Sequence, residues 1–192
     1  YVYNAYGVQG IYSAPGKAVK EAYDSAGVVA NDRGITVWLK GNRVSRNQIM
    51  AIKEESVTDQ KNSLTVCLDN ILRHAGITRN TEYDLAQGKT AIQILEENMT
   101  GVQVLDLSGC SLDAVLYYVN QDIPVLAILE DGEAVLVTGF NEFNVVIMEP
   151  ATGKLYKKGM NDATAWFAEN GNHFITYMSC LLYTSPSPRD RS

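Results

Sequence analysis

The chain has 192 residues, of which 46% are hydrophobic and 20% charged, and it carries a formal net charge of −6. That is enough for one ordinary globular domain, or one domain with a small appendage. The acidic balance excludes nucleic acid as a main partner, because no basic stripe neutralises phosphates, and no apolar run approaches the roughly 20 residues that cross a bilayer. The three cysteines, Cys67, Cys110 and Cys180, have no paired spacing. With only two histidines beside them, a structural zinc site is not expected, and no cofactor is implied. Buried free thiols are the expectation, ahead of one disulfide. The chain opens on Tyr1 rather than Met, as a fragment or processed form would, so a missing signal peptide says nothing about export.

From the N-terminus, residues 1–13 alternate aromatic or aliphatic side chains with polar ones, as in a strand pair turning near Gly7–Gly10. A helix follows, with Ser13 as N-cap, Pro15 in the first turn, Ala18, Val19, Ala22 and Tyr23 on one face, and Gly27 as its stop. Two short apolar runs flank Asn31–Gly34 and read as a hairpin. Residues 1–43 therefore form a small β-α-β-β unit. Its aromatics, Tyr3, Tyr6, Tyr12, Tyr23 and Trp38, read as the core of an undersized module, with a binding face as the alternative. Residues 44–61 are polar and read as a linker, either a short helix or an extended arm lying on the second domain.

The second domain spans 62–180. Leu64, Cys67, Leu68, Ile71, Leu72 and Ala75 recur at helical spacing, with Gly76 as the stop and Arg73 and His74 in the last turn. A polar loop or short helix leads to a second helix capped by Thr90, a short strand at 102–107, and a third helix capped by Ser111 with Leu112, Val115, Leu116 and Val119 inward. Then come three apolar runs, Val125–Leu129, Ala134–Phe140 and Val145–Met148, separated by Asp131-Gly132 and by Asn141–Asn144. They predict an antiparallel meander buried on both faces. A turn and short strand, a helix bearing Trp166 and Phe167, and a last strand complete the domain. Helices first and strands later make an α+β fold. Residues 181–192 contain two Ser-Pro pairs and no apolar period, and are expected to be disordered. They look like read-through from a sequencing adapter in a metagenomic fragment and are set aside from the fold.

Two stretches carry a resemblance. GEAVLVTGFNEFNVVIMEPATGK, from Gly132 to Lys154, follows the pattern Gly-His-Ala-Val-Val-Val-x-Gly-Tyr-Asp … Val-x-Asp-Pro-x-x-Gly. KNSLTVCLDNILRHAG, from Lys61 to Gly76, follows the length and apolar spacing of an Asn-x-Cys-Gly-Pro … Leu-x-x-x-Leu … Gly helix. Together they resemble the bacteriocin-processing cysteine peptidases, which cut after double-glycine leaders and have a papain-like fold. The resemblance covers about residues 62–178. It implies a papain-like peptidase domain, preceded by the small β-α-β-β unit.

The resemblance also locates the departures. The family's nucleophilic Cys falls on Ser63, its His on Glu133, and its Asp or Asn before Pro on Glu149. Gln60 stands near the place of the oxyanion-hole Gln. A serine needs a base that accepts its proton near neutral pH, and a carboxylate is a far weaker base than an imidazole. The expected function is therefore a catalytically degenerate cysteine peptidase-like module, a pseudoenzyme that binds a peptide or protein. The first alternative is an active cysteine peptidase using Cys67, one helical turn inward. The second is an acidic-pair hydrolase or cation site at Glu133 and Glu149. His74 and His173 stand at positions where no family role requires them. Relatives with this fold imply a secreted or cell-surface bacterial protein, or alternatively a cytoplasmic one. The ligand and oligomeric state are not specified by the sequence.

Overall fold

The structure, a computed structural model, describes residues 1–40 and 48–180, with backbone alone at 48 and 49. The expected disordered tail at 181–192 and the linker's first residues, 44–47, lie outside the described residues.

The N-terminal part is built from β1 (Val2–Asn4), β2 (Gly7–Gly10), α1 (Pro15–Ser25), β3 (Val28–Ala30) and β4 (Thr36–Leu39). Its antiparallel sheet has the order β2-β1-β3-β4. Two strands thus precede the helix, as the strand-pair reading of residues 1–13 expects, one more than the β-α-β-β label counts. Their turn is Ala5-Tyr6, earlier than Gly7–Gly10: Asn4 pairs with Gly7, and the Asn4 side chain accepts from the Tyr6 amide at 2.8 Å. Ser13 does not cap α1, because the cap position is Ala14, which makes no side-chain bond. At the other end Ala26, not Gly27, takes the left-handed conformation (φ 57°). Gly27 is required for a different reason: a Cβ there would stand 2.7 Å from the Tyr3 carbonyl. The hairpin turn forms at Asn31–Gly34 as expected, with the Asn31 side chain accepting from the amides of Arg33 and Ile35.

The larger part comprises β5 (Gln48–Ile49), α2 (Ser63–His74), α3 (Glu82–Ala86), α4 (Ala91–Asn98), β6 (Val102–Asp106), α5 (Leu112–Val119), β7 (Val125–Ile128), β8 (Ala134–Phe140), β9 (Asn144–Glu149), β10 (Lys154–Gly159), α6 (Met160–Glu169) and β11 (Phe174–Ser179). The sheet order is β10-β9-β8-β7-β11-β6, antiparallel throughout. The three-stranded meander is present with its predicted breaks. Every residue of β8 is buried, and α2 and α5 both pack on it. A strand covered on both faces has no polar alternation, which is why its sequence is a continuous apolar run. The last strand, β11, inserts between β7 and β6 rather than extending the meander. Mixed α/β content and antiparallel sheets agree with the α+β expectation.

The two parts share one hydrophobic core. Trp38 is 2% exposed, and its indole N–H donates to the Ala114 carbonyl in α5 at 2.9 Å. Tyr118 donates to the Val37 carbonyl at 2.8 Å, and Tyr23 to Asp113 at 2.8 Å. Gly16 lies against the strand β6 and its following turn, where a Cβ would meet the Asp106 and Ser108 carbonyls at 3.0 Å. The aromatics of the first unit therefore divide. Trp38 and Tyr23 face the larger part, while Tyr6 is 92% exposed at the hairpin turn.

The segment 48–61 is an extended arm on the larger sheet. β7 pairs with β8 as far as Val137, and β5 takes over that edge at Gly139 and Phe140. Met50 and Ile52 are buried, and Val57 donates to the Pro150 carbonyl at 3.0 Å. The arm is then held to α2 by charge. Asp69, 1% exposed, accepts from the Thr81 amide and hydroxyl at 2.8 Å each and from Lys61 Nζ at 3.1 Å. Lys61 Nζ also donates to Asn80 at 3.1 Å. A buried carboxylate is tolerated only when its lone pairs are filled, and here three donors fill them. Asp69→Ala strands those donors and is expected to cost about 3 kcal/mol, read from urea unfolding. Thr81→Val removes only the hydroxyl and should cost about 1 kcal/mol.

Candidate functional site

The site is built at the start of α2. Asn62 is the N-cap, and its side chain accepts from the Thr65 amide at 2.9 Å and the Thr65 hydroxyl at 3.0 Å. Ser63 is the first helical residue and is 3% exposed. Its Oγ accepts from the Ala134 amide at 2.8 Å, which ties the helix to the first residue of β8. The turn before β8 sets the next residue. Leu129 donates to the Glu133 carbonyl at 2.8 Å, and Asp131 Oδ1 accepts from the Glu133 amide at 2.9 Å. Gly132 supplies the left-handed conformation (φ 86°) that this tight reversal needs. Glu133 is left exposed at the strand mouth.

Ser63 and Glu133 line one open cleft of about 480 Å³, together with Asp59, Gln60, Lys61 and Ala151. Gln60 sits in a turn closed by the Thr58 amide donating to the Lys61 carbonyl at 2.9 Å, with the Thr58 hydroxyl accepting from the Gln60 and Lys61 amides. The structure thus brings Ser63, Glu133 and Gln60 together. Glu149 is not part of the cleft lining. It ends β9, and its carboxylate accepts from Tyr156 on β10 at 3.4 Å. Burial, with the Glu149 charge beside it, pushes the Tyr156 hydroxyl up to about 12. Among the described residues, no group of three or more His, Cys, Asp or Glu side chains is arranged to hold a metal ion.

Cys67 stands apart from the cleft. It lies one turn along α2 and is fully buried. Burial, reinforced by the charges of Glu55 and Glu133, holds its thiol well above the ordinary value. A nucleophile needs a thiolate, access and a cationic neighbour, and this side chain has none of them. The histidines are remote as well. His74 ends α2, about 16 Å along the axis from Ser63, with Nε2 2.9 Å from the Asp122 carbonyl. His173 precedes β11, two strands from β8, and is not among the cleft residues. Among the lining residues Lys61 is the remaining nitrogen base. Its hydrogen bond to Asp69 lifts its pKa above the ordinary value, so it stays an ammonium.

No protein-family model matches the sequence, and no curated protein matches it either. Among solved structures the chain is similar to a Bacillus anthracis protein named as a C39-like peptidase, with TM-score 0.55 and 15% identity, covering 68% of this chain and 97% of that one. At that identity the likeness is one of fold. The chain shares the fold of that structure, with helices packed on an antiparallel sheet.

Four features of the site and its support were not read from the sequence. Lys61 and Asp59 were absorbed into a polar linker, and Asp69 was given no role. The Asp69 signal was its place among Val66, Leu68, Asn70 and Ile71, where a carboxylate on a wide apolar helix calls for a partner. The Ala134 amide was unreadable, because no side-chain pattern announces a backbone donor.

The thiols give a pH test. Cys67 and Cys110 are buried, and burial pushes Cys110 up to about 11 from an ordinary 9.0. The folded state therefore keeps a proton that the unfolded state releases above pH 9, and stability falls as pH rises from about 9 to about 11. Cys110 alone should account for about 2–3 kcal/mol of that loss. In Cys110→Ala the fall is shallower, measured by urea unfolding across the range. At neutral pH a chromogenic disulfide should react quickly with the partly exposed Cys180 and slowly with Cys67 and Cys110.

Proposed function

We propose that this chain is a catalytically degenerate cysteine peptidase-like module that binds a peptide or protein segment in the cleft at the start of α2. One observation carries the reading. The residue at the nucleophile's place, Ser63, commits its oxygen to the Ala134 amide, and no imidazole stands in the cleft to take its proton. Lys61 is already protonated and bound to Asp69, so a serine–lysine mechanism has no base. The Cys67 alternative lacks access and a thiolate. The acidic-pair alternative lacks convergence, since Glu149 turns to Tyr156 while Glu133 faces the cleft. What the geometry retains is an open groove beside a helix N-terminus and a strand end, suited to holding an extended chain.

The test restores the lost groups. In a Cys180→Ser background, the double variant Ser63→Cys, Glu133→His places a thiol at a helix N-terminus with an imidazole beside its strand. Its alkylation by iodoacetamide should titrate at least about one unit below that of an ordinary thiol. The parent should neither alkylate rapidly nor cleave peptides. Rapid turnover of a peptide substrate by the parent, surviving Ser63→Ala, would overturn the reading.

A further inference from the structure

Residues 50–61 read MAIKEESVTDQK, with five charged side chains and three large apolar ones, Met50, Ile52 and Val57. Such a stretch brings little apolar area to a core. Met50 and Ile52 are buried, but Val57 is 39% exposed, and from Lys53 to Gln60 every residue except Glu55 is exposed. Main-chain bonds to the body are widely spaced. Met50 donates to the Thr138 carbonyl at 3.0 Å, and Val57 to the Pro150 carbonyl at 3.0 Å. Segments with few buried apolar contacts and exposed hydrogen bonds lie at the low end of a protein's local stability.

Charged side chains supply the remaining attachment, at three separate points. Glu54 Oε1 accepts from the amide of Leu155, on the outermost strand β10, at 3.1 Å. Glu55 Oε2 accepts from Asn70 at 2.7 Å and from Arg73 at 3.4 Å, both on α2. Lys61 Nζ is seated against Asp69 at 3.1 Å and Asn80 at 3.1 Å. That last seat suits a cation. Asp69 is 1% exposed, and Glu82 Oε2 is buried with no hydrogen-bond partner among the described residues. The bond to Asp69 leads, and the charges of Asp69, Glu55 and Glu82 add to it, in raising the pKa of Lys61. Strong point contacts on a weakly packed segment hold it until they break, and then little else does.

We propose that residues 50–61 are a strap that lifts from the body as one unit while β8 and α2 stay folded, with Lys61 and Glu55 as its latches. Val57 through Lys61 line the cleft at the start of α2, so lifting the strap dismantles that wall. The device is the same whether the cleft binds a peptide or cuts one.

The experiment is native-state hydrogen exchange on the full chain, followed residue by residue by NMR. The amides of Met50 and Val57 report on separated points of the strap, and Val57 on the cleft wall itself. Both should exchange faster than the amides of β8, and by a common factor relative to their free rates. Lys61→Met should speed both amides at least about ten-fold, although Met50 lies at the far end of the strap from Lys61. Glu55→Ala, at a more exposed contact, should speed both by about three-fold, and it keeps the test open where Lys61→Met does not fold. Phe167→Leu, a change in the core beneath α6, should speed the β8 amides and leave Met50 and Val57 unchanged.

Three results would overturn the strap. In the first, Met50 and Val57 exchange no faster than β8. In the second, Phe167→Leu speeds them as much as it speeds β8, so that they open only with the whole fold. In the third, Lys61→Met or Glu55→Ala speeds one of the two amides and not the other, which is local fraying rather than the release of one unit.

Discussion

The fold depends on burying a single strand from both sides. β8 runs seven residues without an exposed side chain, so it needs a cover on each face and a paired neighbour on each edge. The neighbours are β7, then β5, on one edge and β9 on the other. Because α2 is one of the helices packed on β8, the start of that helix is brought to the start of that strand. The bond between Ser63 and the Ala134 amide is the consequence. In the proposed reading, the cleft exists because a helix N-terminus and a strand mouth must meet there for the core to close.

The arm before α2 is held by a different force. It has few apolar residues, with Met50 and Ile52 its buried contribution, so packing alone would leave it loosely placed. Charge and hydrogen bonds do the rest. Lys61 binds Asp69, and Glu55 Oε2 accepts from Asn70 at 2.7 Å and from Arg73 at 3.4 Å. These contacts fix the wall of the cleft that carries Asp59 and Gln60. They also remove the one lysine from the groove's electrostatics. The same carboxylate, Asp69, therefore stabilises the arm and makes the cleft acidic.

Legibility followed the range of the interaction. Helices with local signals were readable to within a residue or two: Thr90 before Ala91 and Ser111 before Leu112 were read as caps, and the structure adds the Gln93 capping box and the Asn62 cap. The meander was readable because apolar runs and turn residues alternate over short distances. The placement of β11 between β7 and β6 was not, since it pairs residues such as Phe174 and Ala127 that lie far apart in sequence. Nor was the junction through Trp38. An aromatic in a short unit reads as that unit's own core until its N–H is seen to reach Ala114. At the site, Ser63 and Glu133 were found by resemblance, and the geometry adds that they share a cleft that Glu149 does not line.

The chemistry of Ser63 explains how such a site can persist without its reaction. A thiol is a weak hydrogen-bond acceptor, so a cysteine at this place would leave the Ala134 amide poorly satisfied in a buried setting. A hydroxyl oxygen accepts it at 2.8 Å. That bond contributes about 1 kcal/mol to stability, and it takes one of the two lone pairs of the hydroxyl oxygen. Catalytic sites commonly hold groups at some cost to stability, and replacing them commonly recovers part of it. On the proposed reading, the serine converts a reactive position into a staple between α2 and β8. The groove survives because both elements are still needed for the core.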